Sequence, residues 1–282
     1  MNYEIKNSFV KAKIKSFGAE LNSLQKIEND FEYIWQADSK YWARHSPVLF
    51  PIVGRLKDDN YFYKGKKYNL SQHGFARDKE FELIKKDEDF IEFSLKNDEK
   101  TFEIYPFLFE LNISYKLEKT KLIISYKVKN RSEDRLYFSI GAHPAFNISS
   151  GDFLDFEDIR TSKRYFLNDK GLIYKNQEMN FIENKLILDK EIFKNDALIF
   201  NDENINSIIL RDKNNNKILK VEFKNFPYLG VWSKPNLPPF VCIEPWFGVA
   251  NEENSNQNLE DKRGIQVLLK DELFSCFYSV EI

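Results

Sequence analysis

From Phe107 to Leu117 every odd position is apolar: Phe107, Phe109, Leu111, Ile113, Tyr115 and Leu117. Glu110, Asn112, Ser114 and Lys116 lie between them. After the short polar stretch Glu118-Lys119-Thr120, the even positions Leu122, Ile124, Tyr126 and Val128 continue the pattern to Lys129. A period of two places one kind of residue on one face of an extended chain, whereas a helix would scatter it around the axis. The segment therefore predicts an antiparallel hairpin with one dry face and one wet face. A sheet of that kind must cover its dry face with a second layer.

The same grammar recurs along the chain. Tyr61-Phe62-Tyr63 and Tyr68-Asn69-Leu70, joined through Lys64-Gly65-Lys66-Lys67, read as a small hairpin. Further strands are predicted at Phe90 to Leu95, Leu136 to Ile140, Ser207 to Leu210, Ile218 to Phe223, Phe240 to Glu244, Gly264 to Leu269 and Phe274 to Ile282. Helical periodicity is scarce, with a turn or two expected at Asp38 to Trp42 and at Asp189 to Lys194. Aromatic residues make up 16% of the chain, which favours strands because flat rings pack well on a pleated surface. Many short strands joined by Asn/Asp turns predict an all-β sandwich or barrel. With no Pro/Gly/Ser linker and no fixed-period repeat, residues 1–282 are expected to form one domain.

Charge is high at 30% but balanced, with a formal net of -2 and no basic block, so no nucleic-acid partner is expected. Cys242 and Cys276 are too few for a disulfide framework and fit no zinc spacing. The N-terminus lacks the basic start and apolar run of a signal peptide, and no apolar stretch approaches a membrane span. A soluble cytoplasmic protein is expected, with no membrane partner. There is no phosphate-cradling Gly-rich loop and no dinucleotide fingerprint.

Three islands carry candidate chemistry: Gln72-His73-Gly74-Phe75-Ala76-Arg77, Gly141-Ala142-His143-Pro144-Ala145-Phe146-Asn147 and Cys242-Ile243-Glu244-Pro245-Trp246-Phe247-Gly248. Two of the chain's three histidines are in them. Two imidazoles and a carboxylate are the parts of acid/base catalysis near neutral pH. Glu244 ends the apolar run Phe240-Val241-Cys242-Ile243, where a carboxylate is costly unless paired. Arg77 suits an anionic group, and Arg55, after Val48 to Gly54, is either snorkelling or aimed into a pocket. His45 reads as structural or as a rim residue, and Asp196 as turn chemistry before a strand. Trp232, Trp246 and Phe75 could stack on a sugar face or pack in a core. Neither His73 nor His143 belongs to a paired-ligand motif such as H-E-x-x-H, so no metal is expected.

Taken in order, several motifs resemble the aldose 1-epimerase (mutarotase) family, and most closely its lactose-operon-associated branch. They are Phe17-Gly18-Ala19-Glu20-Leu21-Asn22-Ser23-Leu24, Phe50-Pro51-Ile52-Val53-Gly54-Arg55, His73-Gly74-Phe75, His143-Pro144-Ala145-Phe146-Asn147, Asn195-Asp196-Ala197-Leu198 and Glu244-Pro245-Trp246. The resemblance runs nearly end to end. It implies a large antiparallel β-sandwich, the galactose mutarotase-like supersandwich, and cofactor-free interconversion of α- and β-anomers. By position it implies Glu244 as general base and His143 as general acid. His73 and Arg55 match sugar-binding residues, and Asp196 matches an acidic residue that holds sugar hydroxyls. The partner implied is a small-molecule sugar or sugar phosphate, bound by a monomer or homodimer.

Two departures bear on the substrate. Galactose mutarotases typically carry a second glycine after the first His-Gly pair, where this chain has Phe75 and then Arg77. The string His73-Gly74-Phe75-Ala76-Arg77 looks more like the hexose-6-phosphate mutarotase branch, where arginines meet phosphate. The alternatives are thus a hexose-6-phosphate mutarotase or a non-catalytic sugar-binding or sensing protein. A glycosidase usually needs two carboxylates, and only Glu244 is well framed, with Asp196 a distant second.

Overall fold

The computed structural model describes residues 1–282. It is 49% strand and 5% helix, an all-β protein of antiparallel sheets as expected. The hairpin of Phe109–Glu118 and Lys121–Asn130 pairs in unbroken register from Glu118 opposite Lys121 to Phe109 opposite Asn130. Its alternating apolar residues are buried. The hairpin is central to a nine-stranded sheet, with Leu273–Glu281 on one flank and Phe90–Lys96 on the other. Near the N-terminus, Val10–Lys15 and Glu20–Lys26 pair across a turn at Gly18, whose φ of +73° suits glycine.

Both stretches expected to make a turn or two close a turn, and neither extends into a helix. Asp38 to Trp42 closes a single turn, in which the amides of Tyr41 and Trp42 both donate to the Asp38 carbonyl at 2.9 Å. Around Asp189 the side chain accepts from the amides of Glu191 and Ile192, as a helix cap does, and the Lys194 amide donates to the Glu191 carbonyl to close one turn. The α-helix lies instead at Glu99–Ile104, where Asp98 and Thr101 form a reciprocal cap.

An eight-stranded sheet carries the site. One face contributes Leu198, Phe200, Leu229, Val231, Val241 and Ile243 to a cluster of 65 buried residues that runs from Ile5 to Ile282. The opposite face carries a second cluster that includes Leu49, Tyr165, Ile199, Tyr228 and Trp246. Coverage on both faces explains why Phe240–Phe247 reads as a continuous apolar run rather than an alternating one. It also corrects one expectation: Glu244 is inside that strand, not at its end. Pro245 is tolerated there because the ladder toward the strand's neighbour is open between Trp246, which pairs with Gly141, and Ile243, whose amide donates to the Pro144 carbonyl. No helix is long and apolar enough to cross a membrane.

Candidate active site

The register places the two principal groups. Gly141 pairs with Trp246, and Ala145 pairs with Cys242. His143 therefore falls opposite Glu244, at the point where Pro144 interrupts the ladder. His143 Nε2 and Glu244 Oε2 are 3.2 Å apart, with the Glu244 side chain 1% exposed. On the other flank the residue opposite Glu244 is Gly230, so no side chain crowds the carboxylate from that strand. Trp246 lies across both glycines: a Cβ at either Gly141 or Gly230 would meet its ring at 2.5 Å. Its indole N–H donates to the Ala142 carbonyl at 3.1 Å, which fixes the ring as a floor.

His73 arrives from a loop docked on Phe50–Gly54. The Phe50 amide donates to the His73 carbonyl, and the amides of Phe75 and Ala76 donate to the Phe50 carbonyl. Both His73 and Gly74 have positive φ, and a Cβ at Gly74 would meet the Phe50 carbonyl oxygen at 2.3 Å. The Gly54 amide donates to His73 Nδ1 at 3.2 Å. That bond leaves the ring proton on Nε2, so His73 is a fixed neutral donor. Burial, then the neighbouring His143 and Arg77, push its pKa well below the usual imidazole value.

These groups share a cavity of about 310 Å³. Ligand pockets typically span about 300–1,000 Å³, so the space suits a compact molecule rather than a polymer. Glu244, His143, His73, Arg55, Arg77, Asp196 and Trp246 all line it. Asp196, at φ +66°, is exposed at the mouth, its carboxylate accepting from the Ala197 amide. Arg77 donates to the Gln72 carbonyl at 2.7 Å, and Arg55 lies 3.2 Å from Asp59. Both Nε atoms face carboxylates, Arg55 Nε that of Asp59 and Arg77 Nε that of Asp78 at 3.7 Å.

Phe75 is the exception among the sequence candidates. Its ring packs against Phe50, Tyr105 and Phe109, away from the cavity. The turn that presents His73 rotates the second residue after it into the core. His45 braces two strands: its amide donates to Glu20 and its carbonyl accepts from Ala145.

Sequence reasoning missed Trp42 as a site residue. Its ring stacks on His143 with centroids 5.0 Å apart and planes at 26°, and it also stacks on Phe240 at 5.7 Å. Trp232 closes the box edge-on to His143 at 5.6 Å. Trp42 lies in an irregular loop, where no period marks it. The only local signal is the aromatic pair Tyr41-Trp42 followed by Arg44.

Burial dominates the electrostatics. It raises the Glu244 carboxyl well above its ordinary pKa, with the Asp196 charge adding to the effect. It lowers His143 to about 3, helped by the Arg77 cation. The two directions agree physically: a dry pair resists either lone charge and so retains one proton between its members. Such a pair can accept a proton at one atom while releasing one from the other.

The aldose 1-epimerase family model matches residues 1–260. This chain belongs to that family. Its relatives include plasmid and chromosomal forms of protein LacX from Lactococcus lactis subsp. lactis, each 32% identical over 300 aligned positions covering 100% of this chain and 99% of the relative. Among solved structures, a galactose mutarotase related enzyme from Lactobacillus acidophilus superposes with a TM-score of 0.94 at 36% identity, covering 100% of this chain and 97% of that one. A galactose mutarotase-like protein from Lactobacillus casei gives 0.93 at 28% identity, covering 100% and 99%. The family and the mutarotase-like sandwich expected from the sequence motifs are thereby established.

Proposed function

We propose that this protein is a cytoplasmic mutarotase in which residues 1–282 work as one unit to interconvert the α- and β-anomers of a hexose. The observation that carries this reading is the 3.2 Å approach of His143 Nε2 to Glu244 Oε2 on the floor of a sugar-sized cavity. Glu244 takes the proton from the C1 hydroxyl while His143 gives one to the ring oxygen. The C1–O5 bond breaks as the C1 carbonyl forms. Rotation about C1–C2 exposes the other carbonyl face, and the same pair returns both protons in reverse. The working form, carboxylate plus imidazolium, holds the same one proton as the neutral pair, so readiness needs internal transfer only. His73 donates through Nε2 to the sugar, Arg55 and Asp196 hold hydroxyls at the mouth, and Trp246 supports a sugar face.

A phosphorylated hexose is the second reading. Its support is the pair of arginines, Arg55 and Arg77, that line the cavity. A guanidinium offers planar N–H pairs suited to phosphate oxygens.

The test is anomer exchange followed by NMR across free and 6-phosphorylated hexoses. Glu244→Gln and His143→Asn should each slow exchange by about 10²–10⁴-fold with unchanged circular dichroism. Rates like wild type in either variant would sink the assignment. Sugar-dependent thermal stabilisation with no acceleration by the unaltered protein would make it a binding module instead.

A further inference from the structure

One carboxylate outside the cavity anchors the chain that frames His143. Glu20 begins the strand Glu20–Lys26 of the three-stranded N-terminal sheet, a different sheet from the one that carries the site. It does not line the cavity. Its Oε1 accepts from the amides of His45 and Ser46, at 2.9 and 3.1 Å. Its Oε2 lies 3.6 Å from both Lys15 Nζ and His45 Nδ1. The side chain is 13% exposed. Burial pushes the Glu20 carboxyl up, but the His45 side chain and amide outweigh it, with the Lys15 cation adding to them, and hold its pKa below the ordinary value. The group is therefore a carboxylate at neutral pH.

The two amides it holds begin a junction. Neither donates to a backbone carbonyl, so the carboxylate is their partner. The His45 carbonyl accepts from the Ala145 amide at 2.9 Å, just after His143. Val48 and Leu49 pair with Ala142 and Gly141, just before His143. Phe50 donates its amide to the His73 carbonyl at 3.2 Å. Residues 45–50 thus bond to the chain before His143, after His143 and at His73. Trp42, stacked on His143, lies just upstream. A buried ion pair is weak evidence for stability, because apolar replacements are often as stable, but it can select one arrangement of the chain over others.

We infer that Glu20 is a positioning residue: its carboxylate fixes the path of residues 45–50, and through them the approach of His143 to Glu244 and the stack of Trp42 on His143. The kinetic consequence rests on the mutarotase reading; the positional one does not. His143 Nε2 is 3.2 Å from Glu244 Oε2, and a misplacement of about 1 Å in a reacting group can cost about 10²-fold.

The experiment replaces Glu20 and reads His143. Glu20→Ala removes the acceptor, and Glu20→Asp withdraws it by one methylene. Both should move the His143 ring signals in a ¹H–¹³C NMR spectrum, because the ring leaves its place in the Trp42 ring current. Both should lower kcat for anomer exchange about 10- to 100-fold while KM changes less than about threefold. Glu20→Gln keeps an oxygen within reach of both amides and should restore most of kcat. Asp212→Ala is the control, since that carboxylate likewise accepts from two backbone amides, those of Asn214 and Asn216, in a turn away from the site. It should leave kcat and the His143 signals unchanged. Unmoved His143 signals in Glu20→Asp overturn the assignment even where Glu20→Ala does not fold. So does a fall in Tm with kcat per folded molecule unchanged. The ring signals require no turnover: if the unaltered protein exchanges no anomers, the mutarotase reading fails and the His143 shift still decides the role of Glu20.

Discussion

Trp42→Leu isolates what the aromatic stack does for His143. The proposed reaction needs an imidazolium, yet burial and Arg77 hold His143 at about 3. A ring stacked on the imidazole at 5.0 Å attracts the charged form through its electron-rich face. Cation–π contacts contribute about 0.5–2 kcal/mol, the larger end when desolvated. At about 1.36 kcal/mol per pKa unit, loss of the ring should lower His143 by a further ~0.4–1.5 units and slow anomer exchange about 2- to 30-fold. The loop has an independent anchor, because Trp35 Nε1 donates to the backbone carbonyl of residue 42 at 2.8 Å. Trp42→Phe keeps a π face and should recover much of the loss. The assay pairs NMR exchange rates with an NMR titration of the His143 ring. Equal losses in the Leu and Phe variants, or an unmoved His143 titration, would refute the argument and leave Trp42 as packing alone.

Other consequences follow from the same geometry. Because Glu244 is shifted up and His143 down, the pair keeps one proton across neutrality: it gains a second only in acid and loses the first only above the ordinary carboxylate range. The rate should be flat through pH 6.5, and a single step with its midpoint there would show that an isolated imidazole controls it. Arg77→Met should weaken a 6-phosphorylated hexose by about tenfold or more while leaving the neutral hexose nearly unchanged; equal effects on both sugars would remove Arg77 from phosphate recognition. Gly230→Ala drives a methyl to 2.5 Å from Trp246 at the position opposite Glu244 and should raise KM and lower kcat together; unchanged KM would mean the ring is not a sugar contact.

The strand pattern was legible where one face is wet. The hairpin at Phe109–Glu118 and Lys121–Asn130 falls within two residues of its sequence boundaries because its register is written in alternating residue types. The same rule misplaced Glu244. In a strand dry on both faces the period vanishes, and a carboxylate followed by proline looks like a terminus. Likewise the short helix at Glu99–Ile104 rests on a cap, Asp98 with Thr101, rather than on an amphipathic period, and six residues are too few to display one.

The site divides along a similar line. His73, His143 and Glu244 are framed by Gly and Pro because the backbone itself must bend or close up around them. Gly74 passes against the Phe50 carbonyl, Pro144 opens the ladder opposite Glu244, and Gly230 leaves the carboxylate uncrowded. Such constraints leave marks in sequence. Trp42 is held by stacking on His143 and Phe240, contacts far away in the chain, and needs no special backbone. Phe75 fails for the converse reason: its neighbour's left-handed turn was visible, but the direction in which that turn sends the next ring depends on Tyr105 and Phe109. Groups positioned by backbone geometry can be read from local sequence. Groups positioned by packing become visible only once the second layer is in place, and in this protein Trp42 and Trp232 surround the one histidine to which the proposed reaction assigns a change of charge.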